Sequence, residues 1–203
     1  MKLFYSPASP YARKVLVLAH EKGIADKLEL INVTVNPVGA NEIVQQHNPL
    51  GKIPFLLPSD GRCLFDSSVI NAYLDGLGAP RLIPDDGRAR FDALTVEALA
   101  DGILDSCLLS RYETVLRPPD KFWPAWYDGQ MAKIDRGLDF IETRCDTTLN
   151  GPITVGVIAV ACALGYLDFR FSDKDWRKHH PTLASFFYDF GARASMKLTQ
   201  PVG

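Results

Sequence analysis

Glycine and proline cluster in Gly76–Gly87, GLGAPRLIPDDG, and the chain reads differently on either side of them. Upstream, strand and helix patterns alternate. KLFY (Lys2–Tyr5) reads as a strand. Pro10 to about Lys22 reads as a helix with Val15, Leu16, Leu18 and Ala19 on one face and Gly23 as its stop. LELINV (Leu28–Val33) alternates like a second strand, and NEIVQQH (Asn41–His47) forms a short helix. IPFLL (Ile53–Leu57) and RCLF (Arg62–Phe65) are two strands joined by the turn signal PSDG. Asp66–Leu77 closes the series as a helix with Val69, Ile70, Tyr73, Leu74 and Leu77 on one side. The order is β-α-β-α-β-β-α.

Downstream everything reads as helix: about Gly87–Leu116, about Asp120–Cys145, Thr154–Phe169, and shorter pieces at Asp173–Lys178 and Pro181–Phe190. In the second of these, Trp123, Tyr127, Gln130, Ile134, Leu138 and Ile141 recur at helical spacing. The expected architecture is therefore an α/β domain over residues 1–78, a linker over 79–86, and an all-helical domain over 87–203.

Composition narrows the function classes. The chain has 203 residues, enough for a large domain or two small ones, and 47% of them are hydrophobic. Twenty-two basic and 24 acidic side chains leave a net charge of −2 with no long run of one sign, so no nucleic-acid partner is expected. Cys63, Cys107, Cys145 and Cys162 are far apart, and the four histidines form no metal-binding spacing. No metal site and no disulfide framework are expected, and free thiols suit the cytoplasm. The amino terminus reads without a secretory signal. The longest apolar stretch, Ile153–Leu167, is too short to span a bilayer and reads as a buried helix.

Three short stretches can carry chemistry. In SPASPYARK (Ser6–Lys14), Ser9 followed by Pro10 is a helix opening, serine at N-cap and proline at N1. The same geometry holds unpaired N–H groups and a partial positive charge, where a serine hydroxyl can donate to a thiolate and lower the thiol's pKa. In NPLGKIPFL (Asn48–Leu56), Pro54 suits the entry to an edge strand. A cis bond before it would turn the Ile53 backbone outward toward an extended ligand. In LFDSSVINAYL (Leu64–Leu74), Asp66 is an N-cap. The helix opening and the Ser67 hydroxyl can hold a carboxylate, and the Asp66 carboxylate can hold an ammonium.

Taken in order, S-P-x-S-P-Y at the first helix, N-P-x-G-K-I-P-F before the third strand and D-S-S at the third helix, followed by helices, resemble the cytosolic glutathione transferases. The resemblance covers essentially the whole chain, and MAKIDRGLDFIE and ALGYLDFR resemble the bacterial members that use a serine. It implies a thioredoxin-like first domain that binds glutathione as substrate, with no other cofactor. It gives Ser9 the thiol-stabilising role, with Ser6 as runner-up, and leaves Tyr5 to the core. Ile53, before the family's cis-proline Pro54, would pair with the cysteinyl unit, Lys52 would approach the glycyl carboxylate, and Asp66 and Ser67 would bind the γ-glutamyl end. The hydrophobic electrophile would lie between the domains, with Tyr11, Arg111 and Tyr112 as contacts. A detoxifying homodimer is implied, with no nucleic acid or membrane partner.

Two rivals share the fold. A non-catalytic binding or stress-response adaptor would keep the architecture without the chemistry. Thiol–disulfide exchange needs a cysteine at the first helix, where this chain has Ser9 and Ala12. One position departs from the family pattern. The helix after Thr154 normally opens with a capping box, and Val157 stands where the acid is expected. From sequence, Val157→Asp would restore a reciprocal cap and raise the melting temperature.

Overall fold

The computed structural model describes residues 1–203 and divides into two compact units. The first holds Met1–Asp85 together with Arg193–Gly203, and the second holds Asp86–Ala192.

In the first unit, β1 (Lys2–Tyr5) is the middle strand of a three-stranded sheet. It runs parallel to β2 (Glu29–Asn32) and antiparallel to β3 (Phe55–Leu57). Leu3 and Phe4 are both buried because successive side chains point to opposite faces and both faces are covered. On one face Phe4 stacks on Phe55 at 4.4 Å between ring centroids, beside Val44 of α2 (Glu42–His47). On the other side of the sheet α1 (Pro10–Glu21) packs against α3 (Ser67–Asp75).

Two expectations are corrected in this unit. RCLF is not a full strand: it reduces to a bridge between Leu56 and Leu64, because Arg62 folds back onto Asp60 (2.9 and 2.6 Å) and the chain turns into α3. The apolar face read for α3 is also shifted. Ile70 and Leu74 are buried, but Val69 and Leu77 are exposed, and the inward stripe is completed by Ser67 and Asn71. The linker read over residues 79–86 is held to the first unit, since Leu82 and Ile83 are buried and their N–H groups donate to Asp75 (2.7 and 3.2 Å).

The chain end belongs here too, not with the helical domain expected over 87–203. Beyond the expected elements, α9 (Ala194–Leu198) docks on α1. Glu21 accepts two bonds from Arg193 (2.8 and 2.7 Å) and one from the Ser195 hydroxyl (2.5 Å). Arg13 reaches the Met196 carbonyl at 3.1 Å.

The second unit is built on α4 (Gly87–Val115), α5 (Pro124–Glu142), α6 (Cys145–Thr148), α7 (Val155–Arg170) and α8 (Pro181–Gly191). α7 is apolar all round and is buried from Val155 to Leu167, as a central helix should be. α4 packs against both α5 and α7. Gly156 permits the α4–α7 approach: a Cβ there would sit 2.7 Å from the Ala93 carbonyl oxygen. α5 begins later than expected, at Pro124, after a 3₁₀ turn at Pro119–Lys121, and Glu113 accepts from the Trp123 N–H at 2.9 Å. Trp123 lies exposed outside the stripe, while Gln130, Ile134, Leu138 and Ile141 are buried in it. No helix is long and apolar enough to cross a membrane.

The Thr154 cap forms as expected, its hydroxyl accepting from the Val157 N–H at 3.3 Å. Val157 itself is only 3% exposed, which reverses the expectation for its replacement. A reciprocal cap contributes about 1 kcal/mol, whereas removing a buried valine costs about 1.5–3 kcal/mol before any cost of burying a carboxylate. Val157→Asp is therefore expected to lower the melting temperature. Thermal melts of the two proteins decide it, and a rise would return the balance to the cap.

Candidate functional site

The sheet register brings the sequence motifs to one end of the first unit. β1 runs toward Tyr5 and continues into the α1 cap. Phe55 pairs with Phe4 in antiparallel register, so Pro54 falls opposite Tyr5. The bridge between Leu56 and Leu64 is also antiparallel, so Phe65 and Asp66 run back toward that end. Ser6–Ser9, Ile53–Pro54 and Asp66–Ser67 thus converge at the end of the sheet where β1 finishes and β3 starts.

Ser9 is the N-cap of α1, with an extended backbone, and its Oγ accepts from the Ala12 N–H at 3.2 Å. The Ser9 N–H donates to the Ser6 carbonyl (3.0 Å), and the Ser6 hydroxyl accepts from the Ala8 N–H (3.4 Å). A hydroxyl has one donor and two acceptor sites. The cap bond uses one acceptor site of Ser9 and leaves its O–H to donate. Ser9 is half-buried, so a ligand can reach it.

The bond between Ile53 and Pro54 is cis. Asn48 holds the approach: its side chain donates to the Lys52 carbonyl (2.9 Å) and accepts from the Leu50 N–H (3.1 Å), around a turn at Gly51 with φ +64°. The N–H and C=O of Ile53 make no hydrogen bond within the protein, so this short segment offers one donor and one acceptor to an extended ligand. Pro54 is buried and the Lys52 side chain is exposed.

At the third motif, the Asp66 carboxylate caps α3 through the Ser68 N–H at 3.0 Å and is exposed. Ser67, the first residue of the helix, is buried. One participant was not foreseen. The Lys14 side chain is fully buried, and its ammonium lies 3.4 Å from the Ser68 hydroxyl, adding a positive charge beside the opening of α3. Its signal in the sequence is a lysine one helical turn before Leu18, on the buried face of α1.

Of the other expected residues, Tyr11 is half-buried in the first turn of α1, and Tyr5 is half-buried at the end of β1. Arg111 and Tyr112 are half-buried near the end of α4, in the helical unit. Burial pushes the Tyr112 phenol up, against the opposing charge of Arg111. The four cysteines are free thiols, and burial pushes that of Cys107 up to about 12 and that of Cys145 to about 11.

Chemically, this end of the sheet offers a donor for a thiolate, a backbone pair for a peptide, and a helix opening with a carboxylate at its cap. Comparison with known proteins places the chain in a family. Residues 8–77 match the sequence model described as "Glutathione S-transferase, N-terminal domain", and residues 124–187 match "Glutathione S-transferase, C-terminal domain". The uncharacterized GST-like protein YibF of Escherichia coli (strain K12) is 38% identical over 204 residues, covering 99% of this chain and 98% of YibF. A glutathione transferase family member from Pseudomonas fluorescens Pf-5, solved with bound glutathione, superposes with a TM-score of 0.97 at 47% identity, covering 100% of this chain and 99% of that one. A Pseudomonas fluorescens Pf-5 structure with bound S-(propanoic acid)-glutathione gives 0.93 at 46% identity, with both chains covered in full.

Proposed function

The chain belongs to the glutathione transferase family, and we propose that it is a serine-type member that conjugates the glutathione thiolate to a small hydrophobic electrophile. The observation that carries this reading is the sheet register, which gathers the capping Ser9, an unpaired Ile53 backbone and the capped opening of α3 at one end. Ser9 donates to the thiol sulfur and, with the first turn of α1, favours the thiolate. Ile53, ahead of Pro54, pairs with the cysteinyl unit, and Lys52 approaches the glycyl carboxylate. Ser67 and the α3 N–H groups hold the γ-glutamyl carboxylate, with buried Lys14 behind them, and Asp66 holds the ammonium. Rate acceleration then comes from a lowered thiol pKa and from proximity. The bound glutathione and S-substituted glutathione in the two Pseudomonas structures support this ligand class.

The electrophile contacts are assigned to Tyr11 on the first unit and to Arg111 and Tyr112 on the second. A homodimer working in the cytoplasm in detoxification completes the proposal. Calorimetric titration with glutathione tests its first step. Ser67→Ala is expected to weaken binding about 10- to 100-fold, the loss of one hydrogen bond to a charged group. Wild-type protein that does not bind glutathione would sink the proposal. Glutathione binding without conjugation of any member of an electrophile panel would favour the adaptor reading.

A further inference from the structure

Arg13 is a buried cation held without an acid. The residue is only 7% exposed. Its guanidinium donates one N–H to the Met196 carbonyl at 3.1 Å, and its buried Nε has no partner. The charged groups of the surrounding elements are engaged elsewhere. Glu21, the one acid of α1, is taken by Arg193 and Ser195 about two turns further along the helix. The other titratable groups of α1, Tyr11, Lys14 and His20, supply no carboxylate. α9 carries no acid, and Lys197 is its only charge. On α3, Asp75 is taken by Lys22 and Arg81. Asp26 lies in a 3₁₀ turn, Ala25–Lys27, beyond the far end of α1.

Two cations of α1 are thus treated differently. Lys22, at its end, is matched by Asp75, whereas Arg13, near its start, is matched by a carbonyl alone. A buried charge without a counter-charge is costly, and such charges cluster where they are used. The place of this one is informative. Arg13 stands four residues after Ser9, on the same face of the helix, and its N–H donates to the Ser9 carbonyl at 3.0 Å. A long side chain on a helix lies back over the turn before its own Cα, which here is the turn that Ser9 opens. The guanidinium therefore adds a full positive charge to the partial one at this helix opening.

We propose that Arg13 is a positioning residue for the glutathione thiolate: it leaves the sulfur to Ser9 and supplies, from beneath the first turn of α1, positive charge that favours the ionised thiol. Burial makes that charge effective, because it is screened less than an exposed one. The role rests on the transferase reading above.

The readout is the thiol pKa of bound glutathione, taken from the ultraviolet absorbance of the thiolate across pH in the full protein. Arg13→Lys keeps charge and donor, Arg13→Gln keeps a donor without the charge, and Arg13→Met has neither. A positive charge lowers a thiol pKa, so Arg13→Gln and Arg13→Met are expected to raise it by about one, the effect of a single charge at about 10 Å. Arg13→Lys is expected to stay near wild type. S-methylglutathione has no thiol to ionise, so its affinity by calorimetry is expected to be the same in all four proteins, which also reports an intact fold. If Arg13 serves only to hold α9, Arg13→Gln keeps the wild-type pKa, and the role of the charge is overturned. A pKa raised equally in all three variants, or raised only together with loss of S-methylglutathione binding, overturns it as well. Should Arg13→Met fail to fold, Arg13→Lys against Arg13→Gln decides the question. Wild-type protein that binds glutathione without lowering its thiol pKa removes the serine-type transferase reading and this role with it. A lowered pKa that Arg13→Gln leaves in place overturns the role of Arg13 alone.

Discussion

Asp75→Ala is expected to destabilise the first unit by about 3–5 kcal/mol, the cost of removing one partner from a buried ion pair. The Asp75 side chain is fully buried. One oxygen accepts from the Lys22 ammonium (3.2 Å) and the Leu82 N–H (2.7 Å), the other from Arg81 (3.0 Å) and the Ile83 N–H (3.2 Å). Lys22 also reaches the carbonyls of Gly78 and Pro80. One carboxylate thus ties the ends of α1 and α3 to the segment that leaves the unit. Its loss leaves a buried ammonium without its counter-charge and strands two backbone donors, which explains why the effect exceeds that of a surface pair.

The pH dependence of this tie has a definite sign. Burial opposes ionisation of Asp75, but the bonds from Leu82, Lys22 and Ile83 outweigh it and hold the carboxyl below its ordinary range. Its contribution is therefore fully present above the unfolded aspartate pKa, about 3.9, and is lost as pH falls through the lower folded value. Urea denaturation at pH 7 should separate wild type from Asp75→Ala widely, and the gap should narrow on acidification below about pH 4. Asp60→Ala is the control, since the exposed pair of Asp60 with Arg62 should leave stability unchanged at either pH. Equal midpoints for Asp75→Ala and wild type at pH 7 would remove the tie from the account of the fold.

Asp75 also marks the limit of what the sequence reveals. The change of grammar at GLGAPRLIPDDG was legible because periodicity is local, and glycine and proline mark breaks whatever surrounds them. The same stretch gave no sign that Leu82 and Ile83 would be buried, because that depends on a carboxylate presented by another helix. The end of the chain was read into the helical domain for a related reason: its docking depends on Glu21, more than 170 residues earlier. RCLF looked like a strand by composition, but strand formation needs a partner, and only Leu64 finds one. Val157 was read as a missing capping acid because the cap is visible in sequence and the surrounding core is not.

In the site, the residues with local signatures were legible: Ser9 by Ser-Pro, Pro54 by the apolar run after it, and Asp66 by its place before a helix. Their convergence follows from antiparallel register, which sequence does not display. Lys14 was missed because an isolated lysine on an amphipathic helix ordinarily reaches solvent. Here the packing of α1 on α3 encloses it.

Ser9→Ala is expected to lower kcat/KM for glutathione conjugation about 10- to 100-fold near pH 7, the worth of one hydrogen bond to a charged sulfur. Its rising pH limb should move to higher pH. The thiolate form is stabilised in wild type, so the deficit should shrink above about pH 9, where a free thiol is largely ionised without help. Two roles must be separated, because the hydroxyl also caps α1 through Ala12. Ser9→Gly removes the hydroxyl but costs the helix only a few tenths of a kcal/mol, and Ser9→Asp keeps a capping acceptor but cannot donate to a thiolate. If donation to sulfur is the role, all three variants lose activity alike while their melting temperatures diverge. If capping is the role, Ser9→Gly and Ser9→Asp retain activity and only Ser9→Ala falls. The neighbouring Ser6 hydroxyl accepts from Ala8 and could donate in the same way. Loss of the pH-dependent rate in Ser6→Ala, with all three Ser9 variants active, would move the thiol-stabilising role three residues upstream and leave Ser9 only its cap.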